Sequence, residues 1–152
     1  VSEHVIETNV TIAELGEGTV ELAYPAMKEL RPHLADPPDF VARVRLQQAE
    51  GYRLIGSFDA SGAVVAAAGF RLAHSLAWGR YLYIDDLSTL PAARRQGHAR
   101  ALLRWINDEA RRLGCEQLHL DSGTHRHDAH RRYLSSGFII PALHFSKSIP
   151  AK

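Results

Sequence analysis

The stretch from Tyr81 to Leu113 constrains this chain more than any other. An apolar run, Tyr81-Leu82-Tyr83-Ile84, continues to Thr89-Leu90, and Pro91, which has no N–H for a sheet ladder, stops it. Arg94-Arg95-Gln96-Gly97-His98-Ala99-Arg100 follows. Ala99, Leu102, Leu103, Ile106, Ala110 and Leu113 then share one face at helical spacing, and Gly114 stands where such a helix ends. A strand that feeds a helix through a short basic loop is a core unit of an α/β domain. The start of a helix offers unpaired N–H groups and the positive end of its dipole, and both attract phosphate. Gly97 and Ala99 are small where a ligand approaches the backbone, while Arg94, Arg95 and Arg100 add charge suited to a pyrophosphate or a 3′-phosphate. Basic residues at a helix start oppose its dipole, so their presence asks for an anion. The alternative is a solvated helix start with Gly97 as a turn residue. The loop has neither the Lys-Ser/Thr ending of a Walker loop nor the three-glycine dinucleotide fingerprint.

Around this unit the pattern predicts further elements. Val10 and Ile12 alternate with polar residues, giving an opening strand near residues 4–13. Leu22, Ala26 and Leu30 recur at helical spacing between Thr19 and Leu30, and Pro32 with Pro37-Pro38 divides this helix from a second, roughly Pro38–Ala49. Tyr52–Phe58 and Ala63–Leu72, joined by Asp59-Ala60-Ser61-Gly62, read as a hairpin. Downstream, Leu118 and Leu120 mark a short strand, and Asp128–Ser135 a brief helix ended by Gly137. Phe138–Ile140 and Leu143–Ile149 read as closing strands. At 152 residues the chain suits a single domain spanning 1–152.

Composition removes several functional classes. A formal net charge of +1 argues against a generic nucleic-acid or membrane-surface binder, which carries a basic excess. The one cysteine, Cys115, cannot form an internal disulfide and has no metal-type partner spacing, so a reducing, cytoplasmic setting is expected. Its place after a helix end suggests core packing rather than a reactive thiol. The apolar runs fall far short of the roughly 20 residues of a membrane span. Val1-Ser2-Glu3-His4 has no basic segment leading into an apolar one, so no signal peptide is expected.

Arg94-x-x-Gly97-x-Ala99 resembles the Arg/Gln-x-x-Gly-x-Gly/Ala signature of the GNAT superfamily of acyl-coenzyme A N-acyltransferases. Asp85-Asp86-Leu87-Ser88-Thr89-Leu90-Pro91 is similar to that family's fourth strand. Ala129-His130-Arg131-Arg132-Tyr133-Leu134-Ser135-Ser136-Gly137-Phe138 resembles its Ala…Tyr-x-x-x-Gly-Phe segment. The likeness covers residues 81–140; upstream only the order of elements agrees. It implies an α/β GNAT fold, with a mixed central sheet of about six to seven strands flanked by about four helices. It also implies acetyl-CoA as acyl-donor cosubstrate, with no metal. Leu87 and Thr89, with Ser88 between them, would offer backbone groups to the pantetheine arm. The N–H groups of Arg95, Gln96, Gly97, His98, Ala99 and Arg100, next to Arg94, would cradle the pyrophosphate. Arg126 stands where the family often has Asn, and a guanidinium there can still meet the cofactor.

Acyl transfer to an amine needs a neutral nucleophile and a protonated leaving thiolate, against ordinary pKa values near 10.4 and 8.5. Tyr133 aligns with the family's general acid; taken alone it reads as a half-buried aromatic at a helix end. Asp85 and Asp86 end an apolar strand beside the expected thioester site. A flat strand would show only one of them to a pocket, but the family's fourth strand carries a bulge, which changes that. Asp85 is the expected base and Asp86 a substrate contact, although either carboxylate can instead be a structural cap or ion-pair partner. Tyr52, Arg71, His74, Trp78 and Tyr83 are pointers to an acceptor pocket. His119, His125, His127 and His130 cluster without a common zinc spacing.

The expected reaction is direct acetyl transfer to a primary amine, most simply a small metabolite, antibiotic or polyamine, with a protein lysine or N-terminus as the alternative acceptor. A non-catalytic acyl-CoA sensor and a metal-dependent hydrolase are the rival readings. Leu143–Ile149 alternates like an edge strand that can pair across a homodimer.

Overall fold

The structure, a computed structural model, describes residues 10–152. They fall into two compact units, one running to His119 and one starting at Leu120. In the first, β1 (Thr11–Leu15) leads through a 3₁₀ turn (Val20–Ala23) to α1 (Tyr24–Leu30) and α2 (Pro37–Gln48). The chain continues with β2 (Tyr52–Phe58), β3 (Val64–Ser75), β4 (Gly79–Thr89), α3 (His98–Arg112) and β5 (Gln117–Leu120). The part of the opening strand expected before Val10 lies outside the described residues.

Local chemistry accounts for the joints. The Asp36 carboxylate accepts the Asp39 N–H at 2.9 Å, capping α2, and Pro37 and Pro38 occupy its first turn, where their missing N–H groups are no loss. Asp59 Oδ1 accepts the N–H groups of Ser61 and Ala63, closing the β2–β3 connection. The helix expected over Thr19–Leu30 is instead divided. Its first turn is 3₁₀, and Pro25, which gives no N–H, falls at the start of the α-helical part.

The sheet order is β1-β2-β3-β4-β5, with β1 to β4 successively antiparallel. α1 and α2 cover one face, burying Met27, Phe40 and Val44 with Leu54 and Ala67 of the sheet. α3 covers the other. Phe70 packs against Trp105 with ring centres 6.0 Å apart, and the Arg53 guanidinium lies 5.0 Å from the Phe70 ring centre. Arg53 also pairs with Glu14 at 2.8 Å and Glu109 at 2.9 Å, tying β1, β2 and α3 together. Glu109 in turn holds Arg112. That pairing keeps the Glu109 carboxyl below its ordinary pKa despite burial.

In the second unit, α4 (His127–Ser135) is the one helix, ended by Gly137 at φ 92°. The closing strands expected over Phe138–Ile140 and Leu143–Ile149 are absent, so the sheet has five strands among the described residues rather than six or seven. Alternation supplies a face but not a ladder, and a strand exists only where a neighbour completes its hydrogen bonds. Leu143, Phe145 and Ile149 are exposed.

Candidate active site

Register places the two acidic residues. Ile84 pairs with Phe70 and Asp86 with Gly69, so Asp85 is one residue too many on β4 and the strand bulges there. Phe70 and Ile84 face α3. Gly69 and Asp86 face α1 and α2, and the bulge turns Asp85 to that side as well. Both carboxylates therefore line one cavity of about 270 Å³, with Met27, Arg31, His33, Leu34, Phe40, Arg43, Val44, Gln47 and Tyr52.

Each carboxylate has partners. Arg31 reaches Asp86 Oδ1 through Nε at 3.0 Å and donates through Nη2 to the Asp85 carbonyl at 3.0 Å. The Tyr52 hydroxyl donates to Asp86 Oδ2 at 2.9 Å. Burial and the Asp86 charge raise the Tyr52 pKa well above the ordinary phenol value, so that proton stays in place. Arg71 Nε donates to Asp85 Oδ2 at 2.9 Å, and its Nη2 to Gln47 at 3.1 Å. Of the four carboxylate oxygens, Asp85 Oδ1 alone receives no hydrogen bond among the described residues. Burial raises the Asp85 pKa, with Arg71 opposing it and the Asp86 charge adding to it.

The Tyr52–Asp86 bond depends on Gly69, which sequence reasoning did not single out. A Cβ there would sit 1.6 Å from the Tyr52 hydroxyl oxygen and 2.1 Å from its ring carbon Cζ. The available signal was a glycine inside a strand pattern, which marks a bulge or a close approach. Gly69→Ala must push the ring off Asp86, at a cost of about 1–3 kcal/mol for overpacking. Each kcal/mol lowers Tm by about 2–4 °C in a chain of this size. A thermal melt checks this, and in a Tyr52→Ala background the added methyl should cost far less. An equal penalty in both backgrounds would show that the tyrosine is not what the methyl meets.

The basic loop lies between a 3₁₀ turn (Pro91–Ala93) and α3. Arg95 (φ 64°) and Gly97 (φ 87°) are both left-handed, a backbone conformation that recurs where loop N–H groups converge on anions at a helix start. A Cβ on Gly97 would meet nothing within 4 Å, so the space over the loop is open. Arg95 and Arg100 are exposed, Arg94 lies 3.6 Å from Glu29, and Gln96 donates to the Ala92 carbonyl at 3.3 Å. Ala99 is buried. These residues fit a phosphate group through backbone donors and flanking guanidinium charge.

His98 behaves differently. Its imidazole turns into the core, where Nδ1 and Ser57 Oγ share a hydrogen bond of 2.7 Å, so the ring is not presented at the loop surface. Burial lowers its pKa below the ordinary 6.5, opposed by Asp59. The folded value thus lies below the unfolded one. The stability contributed by the neutral ring is complete above about pH 6.5 and is lost as pH falls through the depressed folded value. Melting curves should therefore show a drop in Tm from pH 7 to pH 5 that is smaller in His98→Asn. An identical drop in both proteins would rule out this titration.

Leu90 N–H donates to the Val65 carbonyl at 2.8 Å. Backbone groups alternate along a ladder, so Ser88 also points its own toward β3, whereas Leu87 and Thr89 point theirs to the opposite edge. On that edge β5 starts beside Arg80, where Glu116 N–H donates to the Arg80 carbonyl at 2.8 Å. Ser88 buries its side chain.

In the second unit Tyr133 is buried on α4, its ring 5.9 Å from Phe138. Burial raises its hydroxyl pKa, and the nearby Arg126 and Arg132 guanidinium groups oppose the shift. Arg126 occupies the residue just before α4. His130 Nε2 lies 2.8 Å from the Gly123 carbonyl, while in the first unit His119 stacks on Trp78 with ring centres 3.7 Å apart. Among the described residues no three His, Cys, Asp or Glu side chains come together as a metal-holding group.

The model of the acetyltransferase (GNAT) family matches residues 19–138. An uncharacterised N-acetyltransferase, YhdJ, of Bacillus subtilis (strain 168) is 35% identical over 129 residues, covering 84% of this chain and 89% of that protein. An aminoalkylphosphonate N-acetyltransferase of Salmonella typhimurium is 38% identical over 66 residues, 43% of each chain. The solved structure of aminoglycoside N-acetyltransferase AAC(6′)-Iy in complex with CoA superposes with a TM-score of 0.79 at 17% identity, covering 91% of this chain and 94% of that one.

Proposed function

Because this chain belongs to the GNAT acetyltransferase family, we propose that it transfers acetyl from acetyl-CoA directly to the primary amine of a small molecule, within a ternary complex. The observation that carries this reading is Asp85 Oδ1, a carboxylate oxygen without a donor, in a cavity on the strand that leads into the basic loop. A general base needs an open lone pair and a pKa closer to neutrality than an exposed carboxylate has, and burial moves Asp85 in that direction. Asp86, with both oxygens engaged by Arg31 and Tyr52, shapes the cavity rather than accepting protons.

In this mechanism the loop from Arg94 to Arg100 holds the pyrophosphate, and Leu87 and Thr89 align the pantetheine arm through their outward backbone groups. Asp85 takes a proton from the bound ammonium. The amine nitrogen then attacks the thioester carbonyl, and the carbon–sulfur bond breaks. Tyr133, kept protonated by its burial, donates to the departing thiolate, and the surplus proton on the acylated nitrogen replaces the one it gave. The names of the relatives, one acting on aminoalkylphosphonates and one on aminoglycosides, support a small-molecule acceptor.

Calorimetric titration with acetyl-CoA, followed by a thiol-release assay over an amine panel, tests the reading. Saturable binding and amine-dependent thiol release are expected. Binding with no release from any amine would favour an acyl-CoA sensor, and no binding by the folded protein would end the proposal.

A further inference from the structure

The cavity beside Asp85 and Asp86 looks acidic in sequence but is not acidic in charge. Within its lining, Arg31 and Arg43 balance the two carboxylates. Just outside it, Arg71 behind Asp85 balances Asp39 beside Arg43. An acceptor rich in ammonium groups would find no surplus of negative charge there, and its second ammonium would face guanidinium groups. Coulomb repulsion in a partly desolvated site makes that costly.

The donors left over are cationic. Arg43 uses Nε on Asp39 at 3.0 Å, and its two Nη groups make no hydrogen bond among the described residues. Arg31 engages Asp86 and the Asp85 carbonyl through Nε and Nη2, which leaves Nη1. His33 also lines the cavity. Against them stands Asp85 Oδ1, the one oxygen of the two carboxylates that receives no hydrogen bond among the described residues. A cavity that presents one free carboxylate oxygen and two guanidinium groups matches a ligand with one amine and one anion. Guanidinium binds carboxylate or phosphonate in a directed, two-pronged way. At about 270 Å³ the space is also small, below the usual range for drug-sized ligands of roughly 300–1,000 Å³.

Resting on the acetyltransferase reading above, we propose that the acceptor is a short zwitterionic amine, with its carboxylate or phosphonate on Arg43 and Arg31 and its amine at Asp85. The site selects against polyamines and aminoglycosides.

Thiol release from acetyl-CoA is measured with n-propylamine, β-alanine, 2-aminoethylphosphonate, spermidine and neamine. The two anionic amines should exceed the other three in kcat/KM by about 10-fold or more, the range expected for a hydrogen bond to a charged group. Arg43→Gln should bring the ratio of β-alanine to n-propylamine toward one, and Arg43→Lys should keep part of it; melting curves report that both variants fold. A preference for spermidine or neamine, equal rates for all five, or an unchanged ratio in Arg43→Gln would overturn the assignment while leaving an acetyltransferase. No thiol release from any amine would overturn both.

Discussion

With Asp85 replaced by Asn, kcat/KM for the best acceptor should fall by about 10²–10⁴ at neutral pH, the usual contribution of a positioned general base. Asn is close in shape and can still accept from Arg71, so the substitution removes the basic lone pair and little packing. The pH dependence separates this role from a structural one. An acceptor amine with a pKa near 10.4 is almost wholly protonated at pH 7, and that is when a base matters. As pH rises the free amine supplies itself, so the gap between Asp85→Asn and the parent enzyme should narrow. A gap of constant size would mean that Asp85 acts by holding Arg71. If Asp85→Asn had no effect while Asp86→Asn abolished turnover, the roles of the two would be reversed. Asp86→Asn is expected to act mainly on KM, because it loosens Arg31 and Tyr52, which border the acceptor cavity.

Gly97→Glu should weaken acetyl-CoA binding by about 100-fold or more. The carboxylate would enter the open space over the loop, where like charge opposes a pyrophosphate and blocks the N–H groups at the start of α3. The comparison variant is Gly97→Ala. Both impose a side chain on a backbone with φ 87°, at about 1–2 kcal/mol, so both lose similar stability. Only Glu adds charge and bulk. Calorimetry on the pair isolates that difference. Equal affinities for Gly97→Ala and Gly97→Glu would place the phosphates elsewhere.

Long periodic runs were legible in the sequence. Tyr52–Phe58 forms the strand it spells, and the apolar face from Ala99 to Leu113 forms α3 within a residue at each end. The closing strands were not legible, because Leu143, Phe145 and Ile149 alternate with polar residues whether or not a neighbouring backbone completes the ladder. Within the candidate site, the basic loop and the acidic pair were legible as segments because their residues are consecutive. Their partners were not. Arg31 lies 55 residues from Asp86 and Tyr52 lies 34, separations that only the folded register closes. His98 sits inside a motif read as ligand-facing, yet its ring direction is decided by Ser57, 41 residues away on β2.

The bulge at Asp85 also makes β4 a strand of two parities. Leu82 and Ile84 face α3 from even positions, while Leu87 and Thr89 face it from odd ones, opposite Ala68 and Ala66. A substitution at 85 or 86 changes one side chain. A deletion of either residue removes the bulge and leaves one acidic position between Ile84 and Leu87, so Leu87 stays opposite Ala68 on the α3 side while the cavity loses one of its two carboxylates. The one extra residue is what lets two neighbouring carboxylates share a cavity while the apolar side chains before and after them stay packed on α3.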